Sequence, residues 1–285
     1  MSDIVDPTEE PLGAVPAIRA ELEKTRGSRK RRIGGKFLLA ALGSIPWIGG
    51  FLATAASIPS DEGDVKADSL RDQWLEEHQR KLGELQQTLE TVDERFHKLG
   101  PDIEERIQSP DYISLVRSSF RAWDRAETSE KRRYIGNVIT NSAGTRICSD
   151  DVVRLFIGWL DLYHEAHFAV IRELHKNPGS TRYDVWTELY GDLPREDSAE
   201  ADLFKLLVRD LSTGGVLRQA RDTNEAGQFL RKRPPRRRGP APSTVESAFE
   251  DSKQYVLTEL GKQFVHYSMN EVVTRLGGSS EASSE

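Results

Sequence analysis

Three side chains that could ligate a metal ion recur at intervals of three residues: Asp161, His164 and His167. On a single helix this spacing would bring one carboxylate and two imidazoles to the same face, and zinc binds both ligand types. However, the segment lacks the HExxH motif of zinc proteases, and a further ligand does not accompany the three. A solvated helix face is the favoured interpretation, so the sequence predicts no metal site and no cofactor.

The other candidates for catalysis also have a structural explanation. Asp150 and Asp151 stand where a helix is expected to begin, and carboxylates there cap the helix and compensate its dipole. The sequence contains neither a glycine-rich phosphate loop nor a nucleophile-elbow motif. Cys148 is the only cysteine, which excludes an intrachain disulfide and a thiolate metal cluster and suits a reducing cytoplasm. We therefore expect a protein that is not an enzyme.

Composition limits the class of protein further. The chain has 285 residues, enough for two modest domains. Its net charge is -6, its pI is about 5.7 and its mean hydropathy is -0.57. This balance argues against indiscriminate nucleic-acid binding by the whole chain, although local basic patches could still bind.

One apolar run interrupts this polar chain. Residues 37–58, FLLAALGSIPWIGGFLATAASI, carry no charge, and a bilayer-spanning helix needs roughly 20 such residues. Pro46 and the glycines around it disfavour one straight helix, so the run predicts a hairpin of two short helices, about 35–44 and 46–57. The residues expected to enter a membrane are Phe37, Leu38, Leu39, Ile45, Pro46, Trp47, Ile48, Phe51, Leu52 and Ile58.

The flanks of the run differ in charge. Acidic residues follow it, whereas cations precede it and are expected to contact anionic lipid head groups, each contributing about 1 kcal/mol. These head-group residues are Arg29, Lys30, Arg31, Arg32 and Lys36. The asymmetry predicts a cytoplasmic protein at the inner face of the membrane. Three alternatives stay open: a single membrane span, which would put everything after Pro59 outside the cytoplasm, a twin-arginine signal that begins at Arg31-Arg32, and a hairpin buried inside a soluble helical bundle.

Residues 60–160 have the pattern of an all-α bundle. A helix without proline is expected from about Val65 to Leu99, and its seam repeats at intervals of three and four. An amphipathic bundle helix is the favoured interpretation, and a coiled coil, either within one chain or between two chains, is the alternative. The seam residues are Leu75, His78, Leu82, Leu85, Leu89, Val92, Phe96 and Leu99. Helices beginning at Pro110, after an expected cap at Ser129, and at Ser149-Asp150 complete this region.

The last third has a different order of elements. Three helices, about 162–176, 181–190 and 198–211, precede a strand at 216–219, a long loop, a strand at 255–258 and a final helix. This order, with the segments TRYDVWTEL, ADLFKLLVRDLSTGGVL and YVLTELGKQFVHY, resembles a winged helix-turn-helix domain over 161–272. The resemblance implies a third helix that either enters the DNA major groove or contacts a protein. The residues expected inside that helix are Leu203, Phe204, Leu207, Val208 and Leu211.

The charges of this region favour two different kinds of partner. The outward residues of the third helix, Glu200, Asp202, Lys205, Arg209 and Asp210, suit a protein partner better than a duplex. The loop at 222–253 instead carries six cations that could bind phosphates or an acidic partner. These cations are Arg231, Lys232, Arg233, Arg236, Arg237 and Arg238.

Together the patterns predict a mainly α protein. Its parts are a disordered, basic-ended region at 1–32, the apolar hairpin at 33–59, the bundle, the winged-helix-like domain and a disordered tail at 273–285. The favoured hypothesis is a non-enzymatic, membrane-associated effector or adaptor whose hairpin inserts into a membrane and whose winged domain recognises a partner. The alternative is a soluble DNA-binding transcription regulator with the hairpin buried in a core or a dimer interface.

Overall fold

The computed structural model describes residues 35–48, 65–221, 224–226, 228–230 and 246–270. Within these ranges the chain forms ten α-helices, one short 3-10 helix and a two-stranded sheet, which confirms the mainly α prediction. The chain divides into two compact units. The first unit is Met1–Asp161 together with Tyr267–Glu285, and the second unit is Leu162–His266.

The described part of the first unit has six α-helices and the 3-10 turn. They are α1 (Gly35–Leu42), α2 (Val65–Leu99), the 3-10 helix Pro101–Ile103, α3 (Glu104–Gln108), α4 (Pro110–Arg125), α5 (Ser129–Gly144) and α6 (Asp150–Leu162). The predicted long helix is confirmed at both ends. It stops because Gly100 adopts a φ of 81°, which favours glycine, and Pro101 follows.

Side-chain caps fix where the next helices begin. The Ser109 hydroxyl accepts from the Tyr112 amide, and Pro110 occupies the first turn of α4, where its missing N–H costs nothing. The predicted cap of α5 at Ser129 is wrong by one residue. The Thr128 side chain accepts from the Lys131 amide because Thr128 has the extended backbone that a cap needs, whereas Ser129 is already helical.

The core of the first unit lies between α2, α4 and α5. On α4 the side chains of Tyr112, Val116, Phe120 and Trp123 are fully buried, and their spacing of four, four and three places them on one helix face. The α2 seam meets them from its C-terminal half, where Leu85, Leu89, Val92 and Phe96 are buried. For these four residues the favoured interpretation of a bundle helix is confirmed.

The second unit contains the predicted three helices and both strands. They are α7 (Glu165–Lys176), α8 (Arg182–Tyr190), α9 (Ala199–Thr213), β1 (Leu217–Gln219) and β2 (Tyr255–Leu257), followed by α10 (Glu259–Ser268), whose last two residues belong to the first unit. The strands are antiparallel, with Arg218 opposite Val256. Phe168, Phe204 and Phe264 are fully buried and form the centre of the core.

Candidate interaction surfaces

The described half of the apolar run is part of the core of the first unit. The Phe37 ring is 2% exposed and lies 5.7 Å from the ring centre of Phe96, 6.3 Å from that of Phe120 and 6.5 Å from that of Tyr112. The other buried apolar members of the membrane-insertion set are Leu38, Ile45 and Ile48. Phe51, Leu52, Ile58 and the rest of the predicted second helix after Ile48 lie outside the described residues.

Trp47 fastens the end of this segment to the bundle. Its half-buried indole donates from Nε1 to Asp124 Oδ1 on α4 at 2.6 Å. Its ring also meets the His78 ring of α2 edge-on, with the ring centres 5.0 Å apart. Near the end of its described residues, the segment therefore contacts both α2 and α4.

One side of the same segment faces outward. Lys36, Leu39, Gly43 and Pro46 are exposed and recur at intervals of three and four, as expected for one helix face that continues into the turn. Lys36 is the one described member of the predicted head-group set, since Arg29, Lys30, Arg31 and Arg32 lie outside the described residues. Within the described ranges, the structure has no helix with the length and apolar composition that would cross a bilayer.

The outward face of α9 combines carboxylates with exposed leucines. Glu200, Asp202 and Arg209 are exposed as predicted, but Leu203 is 51% exposed and Leu206 is 38% exposed. The prediction that Leu203 points inward is wrong. The core face of α9 is filled by Ala201, Phe204, Leu207, Val208 and Leu211, and one helix cannot bury Leu203 as well without turning this set away.

The residues that could have formed a metal site do not share a helix face. Asp161 lies on α6 and accepts two hydrogen bonds of 3.0 Å from Arg125, whereas His164 precedes α7 as its cap. The expected solvated position is wrong for His167, which is 5% exposed and stacks on Tyr163 with ring centres 5.0 Å apart. No group of three metal-ligating side chains occurs among the residues described.

Burial makes one thiol and two phenols of the first unit harder to ionise. Burial raises the pKa of the Cys148 thiol and the pKa of the Tyr267 hydroxyl. Burial likewise raises the pKa of Tyr112, whose hydroxyl donates to the Ile139 carbonyl at 2.7 Å. At neutral pH these groups are therefore a thiol and two phenols, which are weak nucleophiles compared with their anions.

A buried polar cluster, which the sequence patterns do not single out, links α5 to the C-terminal end of α10. Asn137 accepts at Oδ1 from Arg95 and donates from Nδ2 to the Ser268 carbonyl at 2.7 Å. One turn later, Asn141 donates from Nδ2 to the carbonyls of Tyr267 at 3.0 Å and Asn270 at 2.9 Å. The only sequence signal is a pair of asparagines four residues apart, on either side of the apolar pair Val138-Ile139.

The loop between β1 and β2 is described only near its ends. On the β1 side, the Arg218 guanidinium lies over the Phe229 ring, 4.7 Å from its centre. On the β2 side, Glu246 binds Arg182 at 3.4 Å and Lys253 at 2.6 Å. All six predicted loop cations, Arg231, Lys232, Arg233, Arg236, Arg237 and Arg238, lie outside the described residues.

Comparison with protein-family models, curated proteins and solved structures gives no match for this chain.

Proposed function

We propose that the protein is a non-enzymatic adaptor that recognises a protein partner through the outward face of α9. The second unit has three helices followed by two antiparallel strands, the first of which begins shortly after the third helix. This order resembles that of a winged helix-turn-helix domain and supports the proposal. The observation that carries the proposal is the exposure of Leu203 and Leu206 on the third helix. Exposed apolar side chains ringed by polar groups are typical of a protein interface.

The same face is poorly suited to a duplex. Base edges in the major groove are read mainly by arginine, lysine, asparagine and glutamine side chains. Here Glu200 and Asp202 are exposed in the first turn of the helix, where they would repel phosphates. Arg209 is exposed but lies 3.5 Å from the carboxylate of Asp210, which offsets its charge.

Site-specific photocrosslinking in intact cells tests this proposal. A photoreactive residue at position 206 of the full-length protein should give a discrete protein adduct, because this position would lie inside the interface. The substitution Leu203→Asp should remove the adduct while the protein stays folded. A photoreactive residue at exposed Glu188 on α8 serves as the matched control. Equal adducts at both positions, or duplex DNA retention that Arg209→Gln abolishes, would contradict the proposal.

A second candidate function is association with an anionic membrane through α1. The observation that favours it is the exposed stripe of Lys36 and Leu39, which directly follows the basic segment. Such a stripe allows a peripheral contact, with the cation at the head groups and leucine in the interface. In this form the protein is an effector at the inner face of the cytoplasmic membrane.

Deeper insertion of the apolar run would require the first unit to open. Each buried side chain of the Phe37 type contributes about 1.5–3 kcal/mol through burial. Five such side chains would leave the core together: Phe37, Leu38, Leu42, Ile45 and Ile48. Their removal from the core would cost on the order of the net stability of a small domain. A trigger or a lipid surface would have to compensate this cost.

Sedimentation with anionic vesicles tests the second function. Leu39→Glu should weaken binding because it places a carboxylate at the proposed lipid contact. Leu155→Glu on α6, where the native leucine is 43% exposed, is the matched control. Equal binding by wild type and both variants would reject the role of α1.

A further inference from the structure

A cleft of about 370 Å³ lies within the second unit. It is bounded by the C-terminal end of α7, the β1–β2 pair and the first turn of α10. Its apolar wall consists of Leu174, Pro178, Val256 and Leu257. Ligand sites of small molecules usually have volumes of about 300–1,000 Å³ and a largely apolar lining, so this cleft is at the small end of that range.

The polar groups that line the cleft are basic. Arg218, Arg221 and Lys262 contribute three cations, and His175 adds an imidazole. Lys262 is partly neutralised by Glu259, 2.7 Å away. Among the residues described, neither arginine forms an ion pair, and no carboxylate lines the cleft. The cleft therefore combines an apolar wall with an excess of positive charge.

Backbone hydrogen bonds hold the wall of the cleft in place. The Gly179 amide donates to the Tyr255 carbonyl and the Tyr255 amide donates to the Ser180 carbonyl, both at 2.9 Å. On the other edge of β2, the Ala220 amide donates to the Gln254 carbonyl at 2.8 Å. The strand is thus bonded along both edges, so the cleft exists before any ligand arrives, which lowers the cost of binding.

The aromatic contact of Arg218 helps to orient its charge. Arg218 occupies the middle of β1, and its guanidinium lies over the Phe229 ring. A stacked guanidinium keeps its N–H donors free at the ring edge, where they can bind phosphate oxygens in pairs. The strand therefore presents a guanidinium that is partly immobilised rather than freely rotating.

We propose that this cleft binds a phosphorylated small molecule of the nucleotide class. Arg218, Arg221 and Lys262 bind its phosphate oxygens, and the apolar wall packs against its planar base. A ligand with only one of the two properties would not match the lining. An inorganic anion would leave the apolar wall uncovered, and an uncharged heterocycle would place no negative charge beside Arg218 and Arg221. The site uses no residue from the outward face of α9 and is therefore independent of the proposed partner surface.

Calorimetric titration of the full-length protein tests the site. The probes are AMP, ADP and ATP, with adenosine and inorganic phosphate as the two halves of the ligand. We expect at least one nucleotide to bind at least about tenfold more tightly than adenosine or inorganic phosphate. The reason is that only the nucleotide contacts both the apolar wall and the cations. Arg218→Gln and Lys262→Gln should each weaken this binding about tenfold.

The matched control is Arg195→Gln, which removes an exposed cation of the same unit from outside the cleft. This control should bind like the wild type. Lys262 is exposed, so Lys262→Gln keeps the test valid even if Arg218→Gln fails to fold. Absence of binding by all three nucleotides would overturn the proposal. An equal loss of nucleotide affinity in Arg218→Gln, Lys262→Gln and Arg195→Gln would also overturn it. The same holds if the protein binds a DNA duplex but no nucleotide.

Discussion

The indole of Trp47 donates to the carboxylate of Asp124 at 2.6 Å, 77 residues further along the chain. This bond joins the last described turn of the apolar run to α4, next to the buried Trp123. Since the acceptor carries a charge, the bond belongs to the stronger class of protein hydrogen bonds. It therefore helps to hold residues 37–48 against α4.

Removing this bond should loosen the segment. We expect Trp47→Phe to lower the free energy of unfolding by about 1–3 kcal/mol and to speed amide hydrogen exchange at 37–48. Asp124→Asn keeps an acceptor oxygen and should cost less than Trp47→Phe. Urea unfolding and hydrogen-exchange mass spectrometry measure both effects. Unchanged exchange at 37–48 in Trp47→Phe would show that apolar packing alone holds the segment.

The two faces of α1 should respond differently to truncation. Phe37→Ala removes a ring from contact with three other aromatic rings and should cost about 3–5 kcal/mol. Leu39→Ala changes a side chain that is 49% exposed and should stay within about 0.5 kcal/mol of the wild type. Chemical unfolding of the two variants side by side measures the difference. Similar losses would contradict the assigned burial.

The asparagine cluster gives a third prediction. Asn141→Ala should cost about 1–3 kcal/mol, because it leaves two carbonyls, those of Tyr267 and Asn270, without this donor. Thr91→Ala removes an exposed hydroxyl that bonds only within α2, so it should be nearly neutral. Thermal unfolding distinguishes the two. A neutral Asn141→Ala would mean that the C-terminal end of α10 is held by packing instead.

Substitutions of two neighbouring leucines test which side of α9 packs against the core of the second unit. Leu207 is 2% exposed, so Leu207→Glu buries a carboxylate and should unfold the second unit. Leu206→Glu should leave the circular dichroism spectrum and the melting temperature close to those of the wild type. If Leu206→Glu unfolds the unit and Leu207→Glu does not, the partner surface would have to lie on the other side of α9.

Histidine titration should make the protein less stable in mild acid. Burial lowers the pKa of His266 below its usual 6.5. Between pH 6.5 and that lowered pKa, the unfolded chain therefore binds more protons than the folded chain. Stability is therefore lost as pH falls through this window. Glu196, whose pKa the Ala248 amide lowers, loses its contribution only below about 4.5. Urea midpoints at about pH 7.5 and 5.5 should differ more for wild type than for His266→Gln.

Local patterns predict much of this fold. The ends of α2 at Val65 and Leu99 follow from the run without proline and from Gly100-Pro101, because backbone rules act over a few residues. Both short strands follow from apolar segments bounded by Gly214-Gly215 and by the last helix. Such signals do not depend on what the element packs against.

Features that depend on tertiary packing are not predictable in this way. The spacing of Asp161, His164 and His167 suggests one helix face, but α6 ends and α7 begins between them. Leu203 fits the apolar pattern of α9 equally well, and only the position of the neighbouring core decides its exposure. The basic cleft collects residues from α7, β1, β2 and α10, and proximity of that kind leaves no periodic signal.

The second unit interrupts the first: the chain leaves the first unit after Asp161 and re-enters it at Tyr267. The Tyr267 ring then lies 5.9 Å from the ring centre of Phe156, in the core built mainly by earlier residues. On the ribosome, the second unit is contiguous and can close as soon as it emerges. The first unit must wait for Tyr267 and Ser268, about a hundred residues after its main part, so that main part lacks its last core residues for as long as the second unit is being synthesised.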